Sequence, residues 1–227
     1  MNVLLLTASV NAKLASPIYT KLTNTDERLF QYLGTLKRYI AESNSDAFVF
    51  CENTEYIIPK DDLFKLATEN NKSIEFLSFL SDIESVKKLG KGYGEGECIE
   101  FAIKNSAYLQ QNSICFFKVT GRLFIKNINE ILLNNQKNEN CFYTDGINAK
   151  SVRTEFFKSQ VSFFNQNLVQ VYKNVNDSEN KFLEYIYFEY LIGKKVKGMF
   201  PYPFIIGNSG STGNPYIISN EYKKAHI

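Results

Sequence analysis

Short unbroken apolar runs alternate, over the first half of the chain, with stretches in which apolar residues recur at helical spacing. Residues 2–8 are the first such run, the pattern of a strand buried on both faces of a parallel sheet. Residues 11–23 are irregular and polar, and a helix is predicted to start near Thr25, with Asp26 and Glu27 suited to the positive end of its dipole. Its apolar positions Leu29, Phe30, Leu33, Leu36 and Ile40 should cover one face of the sheet. Ala47, Phe48, Val49 and Phe50 supply a second buried strand that empties into Cys51, Glu52, Asn53 and Thr54. A second helix at about 61–71 and a third strand at about 74–79 complete a β-α-β-α-β order, which predicts an α/β protein with a parallel, doubly wound sheet.

Next come Gly90, Gly92, Gly94 and Gly96, interspersed with lysine and glutamate, and then helical spacing at Ile99, Ala102, Ile103, Ala107 and Leu109. The expectation is a glycine-rich loop leading into a helix over 98–109, either a phosphate loop or simply a flexible one. It matches neither a Gly-Lys-Ser/Thr ending nor a GxGxxG that follows a strand. Residues 112–122 read as a fourth strand running into a basic turn, with Lys118 and Arg122 bracketing the exit. Open α/β sheets place ligands beyond the carboxyl ends of their strands, and two cations on a glycine turn suit a phosphate. A turn with solvated charges is the competing reading.

A short helix at 127–135 and a short strand at 141–143 follow, and residues 145–160 then break the βα rhythm. Aromatics at 154–157 and 162–164 suit either an acceptor-facing subregion or core packing. Asn176, Asp177, Ser178 and Glu179 look like the start of a helix carrying Phe182, Leu183, Ile186, Tyr187, Tyr190 and Leu191 as its apolar stripe. Asp177 and Glu184 would then project from one face. Residues 200–213, dense in Pro, Gly and hydroxyl groups, predict a tight loop that cradles phosphate or turns the chain.

Composition narrows the options. The 227 residues fit one domain, and 44% hydrophobic with 22% charged residues is globular rather than disordered or coiled-coil. A net charge of +2 argues against a nucleic-acid binder working by bulk electrostatics. Cys51, Cys98, Cys115 and Cys141 are widely spaced and the sole histidine is His226, so a structural zinc is not expected. Three of the four cysteines sit in or beside apolar runs, which reads as buried free thiols of a reducing compartment. With no signal-peptide pattern at the start and no membrane-length apolar run, the expectation is a cytoplasmic protein, compatible with resting on the inner face of the membrane.

Taken together, the first strand, the Leu29–Ile40 stripe, the Glu52-Asn53-Thr54 strand end, Lys91-Gly92-Tyr93-Gly94-Glu95, Lys118-Val119-Thr120-Gly121-Arg122, the segment around Arg153, the 177–184 region and the 207–213 loop resemble small bacterial glycosyltransferases of the GT-A type. The resemblance is to those of capsule and lipopolysaccharide synthesis and covers most of the chain. It implies one GT-A-like domain over 1–227, a mostly parallel central sheet flanked by helices. Its nucleotide-sugar half would be about 1–125 and its acceptor-facing half about 126–227.

Donor contacts would come from Thr7, Ser9, Glu52, Asn53, Lys91, Gly92, Gly94, Glu95, Thr120 and Gly121, with Glu52 against the nucleobase or ribose. Acceptor or phosphate contacts would come from Arg153, Thr154, Ser209, Gly210, Ser211 and Thr212. The implied partners are a nucleotide sugar, a UDP-sugar before others, and a glycan or lipid-linked acceptor.

One departure stands out: the Asp-x-Asp pair with which such enzymes hold a divalent metal occurs nowhere in the chain. Lys118 and Arg122 occupy the equivalent place. The expectation is therefore transfer without a required metal, the two cations stabilising the departing phosphate. Glu184 is the first candidate for the base, by resemblance to an acidic residue on a late helix, Asp177 the second, and Glu95 a further one near the donor. A sugar nucleotidyltransferase is an alternative, but it should carry a glycine-rich loop where Thr7-Ala8-Ser9-Val10-Asn11 stands. A noncatalytic subunit of a polysaccharide assembly complex is the other.

Overall fold

In the computed structural model, residues 1–15, 19–110, 114–135, 138–146 and 149–219 are described. His226, Asn112 and Ser113 lie outside them. The first half contains β1 (Val3–Ala8), α1 (Thr25–Glu42), β2 (Ala47–Glu52), α2 (Asp61–Glu69), β3 (Ser73–Ser78), α3 (Ile83–Leu89), α4 (Lys91–Asn105) and β4 (Cys115–Thr120). β1 lies between β2 and β4, and β2 between β1 and β3, all parallel. Every residue of β1 and β2 is buried, as strands covered on both faces require.

The second half adds β5 (Phe124–Ile125), α5 (Ile128–Asn134), β6 (Cys141–Phe142), β7 (Phe156–Gln160), α6 (Val161–Asn167), α7 (Leu183–Leu191), β8 (Lys197–Gly198), β9 (Ile205–Asn208) and β10 (Pro215–Ile218). The main sheet has seven strands in the order β3-β2-β1-β4-β7-β6-β8, and β7 runs antiparallel to β4. A second sheet, β10-β9-β5, is antiparallel and stands where β4 ends. Because consecutive strand residues face opposite ways, Leu4 and Leu6 join one core with Leu36 and Ile40 of α1. Val3 and Leu5 join the other, with Ile99 and Ala102 of α4 and Tyr187 of α7. Among the described residues no helix is long and apolar enough to cross a membrane.

Four expectations are corrected. The α1 cap is Asn24, whose side chain accepts from the Glu27 N–H at 3.0 Å, and the buried face is Arg28, Tyr32, Leu36, Tyr39 and Ile40. Phe30 is 78% exposed. Counting only apolar residues misses tyrosine and arginine, whose long side chains bury their stems.

The glycine-rich segment is not a loop: α4 begins at Lys91 and ends at Asn105, so Leu109 lies beyond it. Its glycines let neighbours approach. A Cβ on Gly96 would stand 2.1 Å from the Tyr172 Cβ, and one on Gly92 3.1 Å from Leu183.

The helix expected from Asp177 onward is two pieces, a single 3₁₀ turn at Asp177–Glu179 and α7, separated by Asn180 in a left-handed conformation at φ 58°. Asp177 and Glu184 therefore share no helical face. Finally, the loop over 200–213 contains β9, and its tip is the turn of the β9-β10 hairpin, closed by Ser209 N–H to the Asn214 carbonyl at 2.9 Å.

Candidate active site

A cleft of about 220 Å³ opens beyond the carboxyl ends of β1 and β4. Its floor comes from Thr7 and Ala8 at the end of β1, Ser9 just beyond it, Asn53 after β2 and Thr120 at the end of β4. Gly121 lies beneath, where its N–H donates to the Thr7 carbonyl at 2.9 Å. A Cβ there would meet that oxygen at 2.9 Å, so glycine is what lets the β4 turn close on β1.

Glu52 does not line the cleft. It is wholly buried and accepts from the backbone N–H groups of Val10 at 2.9 Å, Thr54 at 2.9 Å and Tyr56 at 2.8 Å. It thus ties the chain after β1 to the chain after β2. Asn53 reaches across to α4, donating to the Gly94 carbonyl at 3.0 Å and to Ser81 at 3.0 Å.

One wall is basic. Arg28 of α1 donates from Nε to the Ser9 carbonyl at 2.7 Å, from Nη1 to the Leu22 carbonyl at 2.9 Å and from Nη2 to the Tyr32 hydroxyl at 3.2 Å. Arg122 donates from Nη1 to the Asn208 carbonyl at 2.8 Å. Each guanidinium lies 5.8 Å from the centre of the Tyr32 ring. Burial holds the Arg28 pKa below its ordinary value; Tyr32 opposes that shift and the charge of Arg122 adds to it. Lys91 donates to the Ser211 hydroxyl, which with Ser209 and Gly210 closes this side from the hairpin.

Three carboxylates also line the cleft, Glu95 of α4, Glu155 before β7 and Glu184 of α7. Glu184 accepts from the Thr154 hydroxyl at 3.0 Å, and burial, reinforced by the charges of Glu155 and Glu95, pushes its pKa up. Glu155 accepts from Arg153 and from the Tyr216 hydroxyl, leaving its second oxygen buried without a partner among the described residues.

The residues singled out from sequence divide accordingly. Thr7, Ser9, Asn53, Lys91, Gly94, Glu95, Thr120, Arg122, Thr154, Glu184, Ser209, Gly210 and Ser211 line the cleft. Glu52, Gly92, Gly121, Arg153, Thr212, Asp177 and Lys118 do not. Asp177 is buried under Gly90 and accepts from the Lys91 N–H at 3.1 Å, fixing the start of α4. Lys118 is wholly buried; its ammonium donates to Glu95, to the Thr154 carbonyl at 2.7 Å and to Thr120 at 3.1 Å.

Sequence reasoning missed Arg28, Tyr32, Glu155 and Tyr216. Arg28 and Tyr32 were detectable as a polar pair four apart on a helix face that otherwise turns inward. At the end of β4, where a metal-binding acidic pair would be expected, the Glu95 carboxylate receives the Lys118 ammonium. Among the described residues no group of three or more His, Cys, Asp or Glu is placed to hold a metal.

No protein-family model and no curated protein sequence matches this chain. Solved structures do. A protein described as a glucose-1-phosphate thymidylyltransferase from Bacillus anthracis, in complex with a sucrose, is similar over 91% of this chain and 89% of its own, at 10% identity and a TM-score of 0.50. The galactosyltransferase LgtC, in complex with donor and acceptor sugar analogues, is similar over 87% of this chain and 73% of its own, at 8% identity and a TM-score of 0.50. At such identities it is the fold that is shared. The chain has a GT-A-like α/β fold, a mostly parallel central sheet flanked by helices.

Proposed function

We propose that the protein transfers a sugar from a nucleotide-sugar donor to an acceptor hydroxyl. The observation that carries this reading is the composition of the cleft: two guanidinium groups and three carboxylates line the same cavity at the carboxyl ends of the parallel strands. The donor's nucleoside would lie over Thr7, Ser9 and Asn53 with its phosphates toward Arg122 and Lys91. The acceptor would enter from the side of Thr154 and α7, in the half of the chain after about residue 126.

Glu184 is then the general base. It takes the proton of the acceptor hydroxyl as that oxygen bonds to the anomeric carbon, while the bond from that carbon to the phosphate oxygen breaks and the nucleotide leaves with its electrons. Its raised pKa favours this role, since a carboxylate whose pKa is raised binds a proton more readily than an ordinary one. A UDP-sugar and a glycan or lipid-linked acceptor of a bacterial surface polysaccharide are the partners this reading favours, without a required metal.

The test incubates the full chain with UDP-, GDP-, CMP- and dTDP-sugars and follows nucleotide release with and without glycan acceptors. In parallel, sugar 1-phosphates are supplied with nucleoside triphosphates and release of diphosphate is followed. Acceptor-dependent nucleotide release is expected. Turnover of the triphosphate pair alone would replace this reading with nucleotidyl transfer.

A further inference from the structure

The basic wall goes beyond a general affinity for anions. Arg28 and Arg122 are 5% and 8% exposed, and neither is ion-paired to a carboxylate among the described residues. Arg122 Nε is buried without a partner among them. Two like charges out of water cost free energy; burial and the charge of Arg122 lower the Arg28 pKa, and Tyr32 and, after it, Glu52 oppose that shift. What holds them is Tyr32. Its ring face attracts both cations, and its hydroxyl accepts from Arg28 and from the Ser9 N–H at 3.0 Å. The cleft lies against both forks, and its polar floor at Thr7 and Thr120 leaves room for further contacts.

We propose that Arg28 and Arg122, held by Tyr32, form a seat for a diphosphate group that works without a metal ion. The proposal deepens the transferase reading and rests on it for the identity of the ligand, the diphosphate of the donor and of the departing nucleotide. It also reassigns the charge expected at the strand exit. Lys118 is neutralised by Glu95, and the second cation comes from α1, a different element, whose helix faces the same turn. A guanidinium pair suits this ligand, because each fork can meet two phosphate oxygens at once.

Calorimetric titration of the full chain in EDTA, with inorganic diphosphate, UDP and uridine as probes, tests the seat. Diphosphate and UDP should bind and uridine should bind far more weakly. Arg122→Gln should weaken diphosphate by about tenfold or more with an unchanged melting curve. Arg122→Lys, which keeps the charge but loses the fork, should fall between them and serves if the first variant melts early. The seat is overturned if diphosphate binds only once manganese is added, or if Arg122→Gln and Arg122→Lys bind it like the wild type. The two proposals fail separately: Arg122-dependent diphosphate binding without turnover of any nucleotide sugar keeps the seat and removes the transferase. Turnover with Arg122-independent binding does the reverse.

Discussion

Lys118 of β4 and Glu95 of α4 form an ion pair in which the lysine side chain is 0% exposed and the glutamate 24%. The lysine that sequence alone puts at the mouth of the cleft is thus a buried counter-charge that orients a cleft carboxylate. Glu95→Gln leaves an ammonium out of water with no opposing charge, and should cost about 3–5 kcal/mol of stability. Lys118→Met leaves a carboxylate that water still reaches, and should cost less. The double variant should recover much of the loss. Urea unfolding of the four proteins measures this, and wild-type stability in Glu95→Gln would refute the pairing.

The glycines of the chain make opposite predictions according to what surrounds them. At Gly96 a methyl group would collide with Tyr172 at 2.1 Å, so Gly96→Ala should destabilise by about 1–3 kcal/mol although alanine is the better helix former. At Gly34, inside α1, a Cβ meets nothing within 4 Å, and Gly34→Ala should stabilise by about 0.5–1 kcal/mol. Thermal melts that ranked the two variants the other way would contradict this account of α4.

How far the sequence carries depends on whether a position is set by local pattern or by a distant partner. β1 and β2 were legible because two-sided burial leaves apolar runs such as Val3–Ala8. The nature of 90–97 was not, since four alternating glycines read locally as a loop and become helix only because Tyr172, Leu183 and Val175 need the space. Within the site, Arg122 was legible as a basic residue on a glycine turn. Lys118 looked equivalent to it, yet four residues along the chain separate a side chain enclosed by Glu95 and Thr154 from one that reaches the cleft. Arg28 and Glu155 could not be brought together with either by spacing, as their contacts arise from the packing of α1 and β7 beside β4.

Glu52 separates a structural role from a ligand contact. Three backbone N–H groups, from Val10, Thr54 and Tyr56, donate to its carboxylate, so Glu52→Ala would leave buried donors without an acceptor. At about 1–3 kcal/mol for each unmatched group, the loss should amount to several kcal/mol. Glu52→Gln, with a single acceptor oxygen, should be intermediate. Denaturant midpoints measured beside nucleotide affinity decide the role. A variant with unchanged stability and lost affinity would return Glu52 to the ligand.

Glu184 gives a prediction in which stability and activity move in opposite directions. Its pKa is raised in the folded chain by burial first and by Glu155 and Glu95 after that, so between the unfolded and the folded values the native state binds more protons. Stability from this group is therefore fully present below the ordinary carboxylate pKa and is lost as pH rises through the raised one. Glu184→Gln retains an oxygen for the Thr154 hydroxyl and cannot ionise. It should match the wild type at low pH and become more stable than it over that window, the gain staying constant above. Transfer needs the ionised carboxylate, so the acid limb of kcat/KM should lie above the usual carboxylate range, and Glu184→Gln should lose about 10²–10⁴-fold in turnover. Chemical unfolding and initial rates across the same pH series test both halves. A variant that is stabilised yet fully active would leave the buried charge real and move the base to Glu95 or Glu155.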